Sequence, residues 1–593
     1  MIQDPQDLEP GTIDYDTAEQ RLLHNLYKQL NTMLKDIDPA LDLTKDYHIP
    51  EPICFNPLLN QQNVEQTQNE RQVHVERLNH NVNRLNPEQL AAFHAITNAL
   101  RNRTAGTFFI DGPGGTGKSF LYSTLISFAI NNNFNPLVMA TTGIAASQLG
   151  GVTLHRAFSI PIPCTDESVS HLRTQSIEAQ RLKQTDIFLI DEITQCPKQI
   201  LELIDRFLRD VTGHSDLPFG GKIIVLGGDF RQCLPVLPGG SSAQILHATI
   251  KSSSLWPLFS ENTFTLTVNQ RSENQEFSDW LMDIGNGITQ TVDLSQVPIN
   301  IVHTVDDLIH SVYGNHLDIN NLHTFHSTMI ISPKNKQVNE INNKVLDMIN
   351  TYSQVSLSTN DPIVDGNHPV IPEEIIETLH PAGLPPHKLI LKIGACYMLL
   401  RNLNLKRGLC NGSRIVITSL GNKVVTYDLL NIDGSVREQN ILLPRITLTP
   451  SQNYPFMFKR NQYPIVPAYA ASIHKVQGCT LQKQGIYLAE PMFTHGQLYV
   501  ALSRAKNFQN ITVLLEKSQT RVRNEVWTSI LQREIIQPDI SDSPFTGPLL
   551  DDEQVQTNLD PSAQFLDDDF LQFYSGGGHV SYTYCDDLSE NSE

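Results

Sequence analysis

The stretch that decides the fold is Gly112-Pro-Gly-Gly-Thr-Gly-Lys-Ser119. A short apolar run, residues 107–110, precedes it, and an apolar-periodic stretch, residues 120–130, follows it. This order predicts a strand, a glycine-rich loop and a helix, the setting in which backbone amides surround phosphate oxygens. The alternative, a chance glycine-rich turn, does not account for that setting. We expect ATP phosphates to be bound by Gly112, Pro113, Gly114, Gly115, Thr116, Gly117, Lys118 and Ser119.

Two loop residues and an acidic pair downstream predict the chemistry. Lys118 is expected to neutralise the β and γ phosphates, and the Ser119 hydroxyl to bind Mg²⁺. Asp191-Glu192 follows the apolar run 187–190, so Asp191 is the candidate metal carboxylate and Glu192 the candidate general base for the attacking water. Solvated acids at strand ends are common, and it is the phosphate loop that favours the catalytic interpretation.

The same pattern, a short apolar run followed by a Gly- or acid-bearing loop, recurs at residues 137–143 and 223–229. Uninterrupted apolar runs that alternate with helical stretches indicate buried parallel strands. A second α/β unit is predicted from Leu266 and again after Pro467. Residues 390–446 between them contain short strands and turn signals, which indicates a β-rich insertion.

The formal charge of −20 is concentrated at the two ends of the chain. Residues 1–50 contain ten acidic and four basic side chains, and residues 539–593 contain thirteen acidic side chains and no Lys or Arg. The middle is nearly neutral and can still form a local basic track for phosphates. The eight cysteines show no metal-ligand spacing, and no apolar run is long enough to span a bilayer.

With these motifs placed, the chain resembles the petite integration frequency (Pif) helicase family of superfamily 1 over residues 85–515. Val476 departs from the usual serine in the segment that resembles motif V. Shorter stretches, such as Gly408-Leu-Cys-Asn-Gly412, resemble the helicases of Helitron transposons, although the His-x-His motif of their endonuclease is not found. The resemblance to the family is carried by Leu85-Asn-Pro-Glu-Gln89, Thr141-Thr-Gly-Ile-Ala-Ala146, Thr153-Leu-His-Arg-Ala-Phe158, Gly228-Asp-Phe-Arg-Gln232, Asn269-Gln-Arg271, Ser472-Ile-His-Lys-Val-Gln-Gly-Cys-Thr480 and Gln497-Leu-Tyr-Val-Ala-Leu-Ser-Arg-Ala505.

The resemblance implies roles for individual residues. Gln89 would contact adenine, and Gln232 would sense the γ-phosphate. Arg271 and Arg504, in the second half of the chain, would reach the γ-phosphate across a cleft, the geometry of an arginine finger. A surface ion pair is the alternative for either arginine. The residues implied to contact DNA are Thr142, His155, Phe158, Ser472 and His474; Phe158 could stack on a base or could equally be a core side chain.

The predicted fold is α/β, with tandem RecA-like P-loop domains. The first domain spans residues 84–265 and includes a short insertion at about 156–180 that could act as a strand-separating wedge. The second domain comprises residues 266–370 and 466–537, with the β-rich insertion at 371–465. A polar extension, 1–83, precedes them, and a disordered acidic tail, 538–593, follows them.

The function implied is that of an ATP-dependent DNA helicase acting on single-stranded and forked DNA, with 5′→3′ movement. Such enzymes serve DNA repair, recombination and telomere maintenance, and a DNA substrate suggests the nucleus, although no basic import cluster is evident. Three alternatives remain open: a transposon-derived helicase without its nuclease, an inactive DNA-binding relic, and a P-loop ATPase that remodels proteins. Membrane association is not expected, and no protein partner is predicted.

The acidic tail also carries aromatic side chains, including Phe565, Phe570 and Phe573, between its Asp clusters. Such a segment could dock on a basic, base-stacking channel and compete with single-stranded DNA. A solvated end without a partner is the simpler alternative. Truncation after Pro538 that leaves single-strand affinity unchanged at low salt would exclude the competition hypothesis.

Overall fold

The structure is a computed structural model. It describes residues 60–532 except 238, 273, 315–326, 364–371, 380, 382, 405–406, 422, 432–433 and 451–455. Most of the predicted polar extension and the whole predicted acidic tail therefore lie outside the described residues. The chain divides into two compact units, Met1–Asn79 and His80–Glu593. The helix Asn60–Val82 lies mainly in the first unit, and all features below belong to the second.

The first parallel sheet contains the strand that leads into the phosphate loop. All five residues of the strand Ile187–Asp191 are buried, because helices cover both faces of the sheet and leave no solvated face. In spatial order the strands are Val152–Thr153, Pro136–Ala140, Ile187–Asp191, Ile223–Gly228, Gly106–Asp111 and Thr263–Thr265. The helices are Pro87–Asn102, Lys118–Asn131, Gly143–Gln148, Leu154–Ala157, Ile177–Gln184, Lys198–Thr212, Ser242–Ala248 and Trp256–Ser260.

A second parallel sheet follows the same plan. Its strands in spatial order are Ala470–Ser472, Thr328–Ser332, Lys483–Tyr487, Ile511–Leu514 and Asn300–Val302. The helices of this half are Gln275–Gly285, Val305–Tyr313, Asn335–Asp347 and Gln497–Leu502. Two parallel sheets with helices between their strands confirm the predicted α/β fold with tandem RecA-like domains.

Antiparallel strands form the β-rich insertion. Antiparallel pairing begins before the predicted start at residue 371, since Ser353–Leu357 pairs with Lys388–Lys392. The alternation of apolar and polar residues in the early strands covers only a few positions. These strands are therefore recognised only from their pairing with partners that are distant in sequence. The strands of a larger sheet are, in spatial order, Val436–Pro444, Val424–Leu430, Arg414–Leu420, Cys396–Leu399 and Ile465–Pro467. A smaller sheet contains Thr359–Ile363, Met457–Gln462 and Ile446–Leu448. The helix Glu373–Thr378 packs on the first strand of this smaller sheet.

The last described residues cross back to the first domain. After the strand Arg521–Arg523, which pairs with Thr291–Asp293 in the second half, Ile530 is fully buried in the core of the first domain. The buried Lys251 Nζ donates to the Ile530 carbonyl at 2.6 Å and also to the Gln532 carbonyl. The segment that was predicted to end the second domain therefore packs on the first.

Candidate active site

The phosphate loop joins the strand Gly106–Asp111 to the helix Lys118–Asn131. Gly115 and Gly117 have φ values of 96° and 80°, which side chains rarely adopt. A Cβ at Gly117 would lie 2.5 Å from Gln89 Nε2, so only glycine fits there. Lys118 is buried, and its Nζ donates to the Gly112 carbonyl at the mouth of the loop. This places the amine of Lys118 against the phosphate-binding backbone.

Gln89 lies against the same loop. It stands in the first turn of the helix Pro87–Asn102, where it forms a capping box with Asn86. Its Nε2 donates to the Thr116 carbonyl at 3.0 Å, which fixes the side chain beside the loop. Gln89, which is predicted to contact the nucleotide, is therefore held at the loop by the helix that precedes the strand Gly106–Asp111.

Asp191 and Glu192 end the buried strand Ile187–Asp191, and both are almost fully buried. Burial and, to a smaller extent, the neighbouring Asp191 carboxylate raise the pKa of Glu192 to about 7. Burial also raises the pKa of Asp191. Asp191 Oδ1 accepts no hydrogen bond of ordinary geometry from the described residues. An unsatisfied buried carboxylate oxygen of this kind suits a ligand or a cation.

The loop after the strand Ile223–Gly228 adds a charged cluster. Asp229 is fully buried, and its Oδ1 accepts from Arg231 Nη1 at 3.2 Å. Arg231 also pairs with Asp111 at 3.3 Å. Gln232 Nε2 donates to Asp229 Oδ2 at 3.1 Å. The predicted γ-phosphate sensor is thus attached to a carboxylate whose charge Arg231 balances.

Both predicted arginines lie over the phosphate loop. A Cβ at Gly114 would be 3.4 Å from Arg271 Nη1 and 3.4 Å from Arg504 Nη2. Arg271 Nη1 donates to the Ser503 carbonyl at 3.0 Å, and Arg504 Nη2 donates to Ser503 Oγ at 2.7 Å. Burial, followed by the nearby Arg504 charge, lowers the pKa of Arg271 to about 10. Two cations held together against a phosphate loop favour the binding of an anion between them.

Three cross-domain contacts were missed by the sequence reasoning. The Tyr499 hydroxyl donates to Asp229 Oδ2 at 3.2 Å, and Arg231 Nε donates to Asn286 Oδ1 at 2.9 Å. His495 Nδ1 accepts the Trp527 N–H at 2.9 Å, so its Nε2 donates to the Phe230 carbonyl at 2.8 Å. The only available signal was that Tyr499 lies within the motif that contains Arg504 and that His495 lies just before this motif.

Two cavities lie along the contact between the domains. The smaller, about 330 Å³, is lined by Pro113, Gly114 and Thr116 of the phosphate loop and by Tyr499 and Ser503 of the second domain. The larger, about 590 Å³, lies where the helix Gly143–Gln148 faces both the second domain and the β-rich insertion. Its lining includes Ile144, Gln148, Arg414, Arg437, Thr480 and Lys506. Contact there is close, since a Cβ at Gly412 would lie 2.6 Å from Ile144 Cδ1.

The candidate DNA residues are less accessible than predicted. Thr142 Oγ1 accepts from the Ala145 N–H and so caps the helix Gly143–Gln148. Ser472 is buried at the end of its strand. Burial lowers the pKa of both His155 and His474 to about 4, so both are neutral at physiological pH. Any phosphate contact by these histidines would be a hydrogen bond between a neutral group and an anion.

The structure corrects the prediction that Phe158 contacts DNA. Phe158 is fully buried, with its ring centroid 6.3 Å from that of Phe188 and 6.0 Å from that of Phe207. A ring in this core cannot stack on a base, so the DNA-binding prediction for Phe158 is wrong and the core alternative holds. Beyond it, the insertion exposes Ile162 and Val169, and Arg206 Nη2 donates to the Ser168 carbonyl at 2.9 Å. Its role as a wedge stays a prediction.

Comparison with known proteins places these motifs in one family. The family model described as PIF1-like helicase matches residues 84–294, and the model of the DNA helicase Pif1 2B domain matches residues 374–420. Over both segments the chain is similar to PIF1-like helicases. The 2B match falls on the β-rich insertion, so residues 374–420 of the insertion are similar to the 2B domain of the DNA helicase Pif1.

Relatives of the PIF1-like helicase family match over most of the motor. The chain is 28% identical over 433 residues to the ATP-dependent DNA helicase Pif1 of Bdellovibrio bacteriovorus, covering 72% of this chain and 88% of that protein. It is also 28% identical over 440 residues to human ATP-dependent DNA helicase PIF1, covering 72% of this chain and 60% of that protein. The chain therefore spans less than two thirds of the human relative.

Solved structures of Pif1 helicases show the same fold. One, from a study of DNA unwinding at forked duplex DNA by two coordinating Pif1 helicases, matches with a TM-score of 0.53 and 26% identity over 77% of this chain and 95% of that one. Bacteroides Pif1 bound to single-stranded DNA matches with a TM-score of 0.52 and 25% identity, over 76% and 94%. Among the described residues, no helix is both long and apolar enough to cross a bilayer.

Proposed function

We propose that this chain is an ATP-dependent DNA helicase that moves along single-stranded DNA and unwinds duplexes. One observation supports it above all: Arg271 and Arg504, from the second half of the chain, both lie against Gly114 of the phosphate loop. ATP bound in the loop would draw the two domains together through these cations, and its hydrolysis would release them. A cleft that closes and opens with nucleotide state can shift the grip of two domains on a strand.

Hydrolysis would use the groups that the structure gathers around the loop. Lys118 would balance phosphate charge, and Arg504 and Arg271 would stabilise the charge that develops in the transition state. Glu192, with its pKa raised to about 7 by burial, is suited to accept a proton from the attacking water. Gln232, held by Asp229, would orient that water, and Gln89 would contact the base of the nucleotide.

The residues near the loop fit a phosphate-bound Mg²⁺. Asp191 offers a buried carboxylate oxygen without a hydrogen bond of ordinary geometry, and the Ser119 hydroxyl is exposed beside Lys118. The described residues contain no group of three or more His, Cys, Asp or Glu that could hold an ion by themselves. A magnesium ion that keeps phosphate oxygens and waters as its other ligands needs only one or two protein groups. Bound there, it would neutralise phosphate charge.

DNA would run past the larger cavity, where the helix Gly143–Gln148, the second domain and the β-rich insertion meet. Arg414, Arg437 and Lys506 line this space and provide positive charge for a backbone. Thr142, His155, Ser472 and His474 remain proposed contacts. The proposed direction, 5′→3′, and a place in repair, recombination or telomere maintenance in the nucleus rest on the family resemblance alone, as does the Helitron-type relationship.

The decisive experiment measures ATP hydrolysis with and without single-stranded DNA, together with unwinding of duplexes that carry a 5′ or a 3′ tail. Stimulation by DNA and unwinding from the 5′ tail are expected. Unwinding from 3′ tails alone would contradict the proposed direction. Hydrolysis that is indifferent to DNA would favour the protein-remodelling ATPase, and DNA binding without hydrolysis would favour the inactive relic.

A further inference from the structure

One tyrosine of the second domain reaches into the nucleotide site of the first. Tyr499 lies on the helix Gln497–Leu502 and is almost fully buried. Its hydroxyl donates to Asp229 Oδ2 at 3.2 Å and also faces the backbone N–H of Gly114. A single hydroxyl therefore contacts the phosphate loop and the loop after the strand Ile223–Gly228 at the same time.

The two carboxylate oxygens of Asp229 accept hydrogen bonds from different groups. Oδ1 accepts from the Arg231 backbone N–H at 3.1 Å and from Arg231 Nη1 at 3.2 Å, which are contacts within the first domain. Oδ2 is shared by Gln232 Nε2, at 3.1 Å, and the Tyr499 hydroxyl, at 3.2 Å. The position of the Gln232 amide is thus linked, through one carboxylate oxygen, to a group that belongs to the other domain.

The other end of the Gln232 amide is available. Gln232 is buried, and its Oε1 accepts no hydrogen bond from the described residues. A buried acceptor without a donor is costly unless a ligand or water supplies one. Since Nε2 is committed to Asp229, the direction in which Oε1 points depends on where Asp229 holds the amide.

We propose that Tyr499 is a positioning residue that couples closure of the interdomain cleft to the orientation of Gln232. In the closed cleft its hydroxyl binds Asp229 Oδ2 beside Gly114 and fixes the Asp229–Gln232 pair, so that Gln232 Oε1 can accept a hydrogen bond from the attacking water. When the cleft opens, Tyr499 leaves with its helix and the pair loses this restraint. The inference rests on the proposed ATPase function and adds to it a contact that makes hydrolysis depend on closure.

Tyr499→Phe tests this role because it removes only the hydroxyl. The ring stays packed on Gly285, where a Cβ would lie 3.0 Å from Tyr499 Cδ2. At saturating single-stranded DNA we expect kcat for ATP to fall about tenfold to a hundredfold, the effect of losing a hydrogen bond to a charged group, with KM within about threefold. The control is Tyr313→Phe, which removes a buried hydroxyl that donates to the Tyr469 carbonyl at 2.5 Å in the second domain's core. Its kcat should stay within about twofold of the unmodified value.

The second arm asks whether Tyr499 acts through Gln232. In a Gln232→Ala background, Tyr499→Phe should lower kcat by less than about twofold further, because the group it positions is absent. Full additivity of the two changes would overturn the proposal, as would an unchanged kcat or an effect on KM alone in the single variant. Absence of DNA-stimulated hydrolysis in the unmodified chain would instead refute the proposed function itself.

Discussion

The two RecA-like domains share a parallel-sheet plan but bring opposite charges to the cleft between them. Strands of the first domain end in acids, Asp191-Glu192 and Asp229, near Lys118 of the phosphate loop, and Arg231 pairs with Asp229. The second half contributes Arg271 and Arg504 instead, and its strand Ala470–Ser472 ends in a neutral serine. Neither half holds a complete set of groups for phosphoryl transfer. ATP hydrolysis by this chain would therefore require contact between the two domains.

Lys118→Ala removes the cation of the phosphate loop and should have the largest effect. We expect DNA-stimulated ATP hydrolysis to be abolished, because the transferred phosphate loses its main preorganised cation. Phosphate release at saturating DNA measures it. Lys222→Ala is the matched control, since Lys222 Nζ donates to the Lys183 carbonyl elsewhere in the same domain. Near-normal turnover in Lys118→Ala would remove this residue from the site.

Arg504→Ala removes the opposing cation of the second half. Turnover should fall about a thousandfold while ATP affinity changes little, because a finger acts chiefly on transition-state charge. Equilibrium binding of a fluorescent ATP analogue, measured beside kcat, separates the two effects. The control Arg521→Ala breaks an exposed pair with Asp293 in the same half and should leave both values unchanged. If affinity is lost and kcat kept, the finger role is wrong.

The β-rich insertion does not contribute to the division of charge between the two RecA-like domains. Arg460→Met tests whether a change in the insertion leaves the nucleotide site unaffected. Arg460 is fully buried, and its guanidinium donates to Asn360 Oδ1 at 2.8 Å and to the Ile376 carbonyl at 2.8 Å. Removing it leaves several buried acceptors unsatisfied, so the free energy of unfolding should fall by about 2–4 kcal/mol. Thermal or urea unfolding measures the loss. ATP affinity of the folded variant should not change, and a large loss of affinity would show that the insertion supports the nucleotide site.

Arg407→Met in the same insertion should have the smallest effect. Its ion pair with Glu438 is exposed, with about half of the Arg407 side chain accessible. Screened pairs of this kind contribute less than about 1 kcal/mol to stability. Urea unfolding beside Arg460→Met provides the comparison. A loss as large as that of Arg460→Met would mean that burial does not distinguish the two arginines.

Local sequence was sufficient for the phosphate loop and the acidic pair, because each is a contiguous segment at a strand end. Contacts between distant segments were not accessible in this way. Tyr499 and Asp229 are 270 residues apart, and no local pattern shows that one hydroxyl meets one carboxylate. Phe158 was ambiguous for the same reason, since only packing against Phe188 and Phe207 makes it a core residue. The strand Ser353–Leu357 was missed because its partner, Lys388–Lys392, follows a long intervening segment.

The return of the chain to the first domain constrains how the motor can move. The backbone passes between the domains twice, once after the strand Thr263–Thr265 and once between Arg523 and the buried Ile530. Two domains that are joined by two backbone segments cannot move directly apart without stretching both segments. Rotation about the line through the two crossing points stretches neither of them and is therefore the easier motion. That line is a hinge axis. In the proposed ATPase cycle, the displacement of Arg504 and Tyr499 on opening would be set by their perpendicular distance from this axis, and nucleotide turnover would drive an angular stroke instead of a linear one.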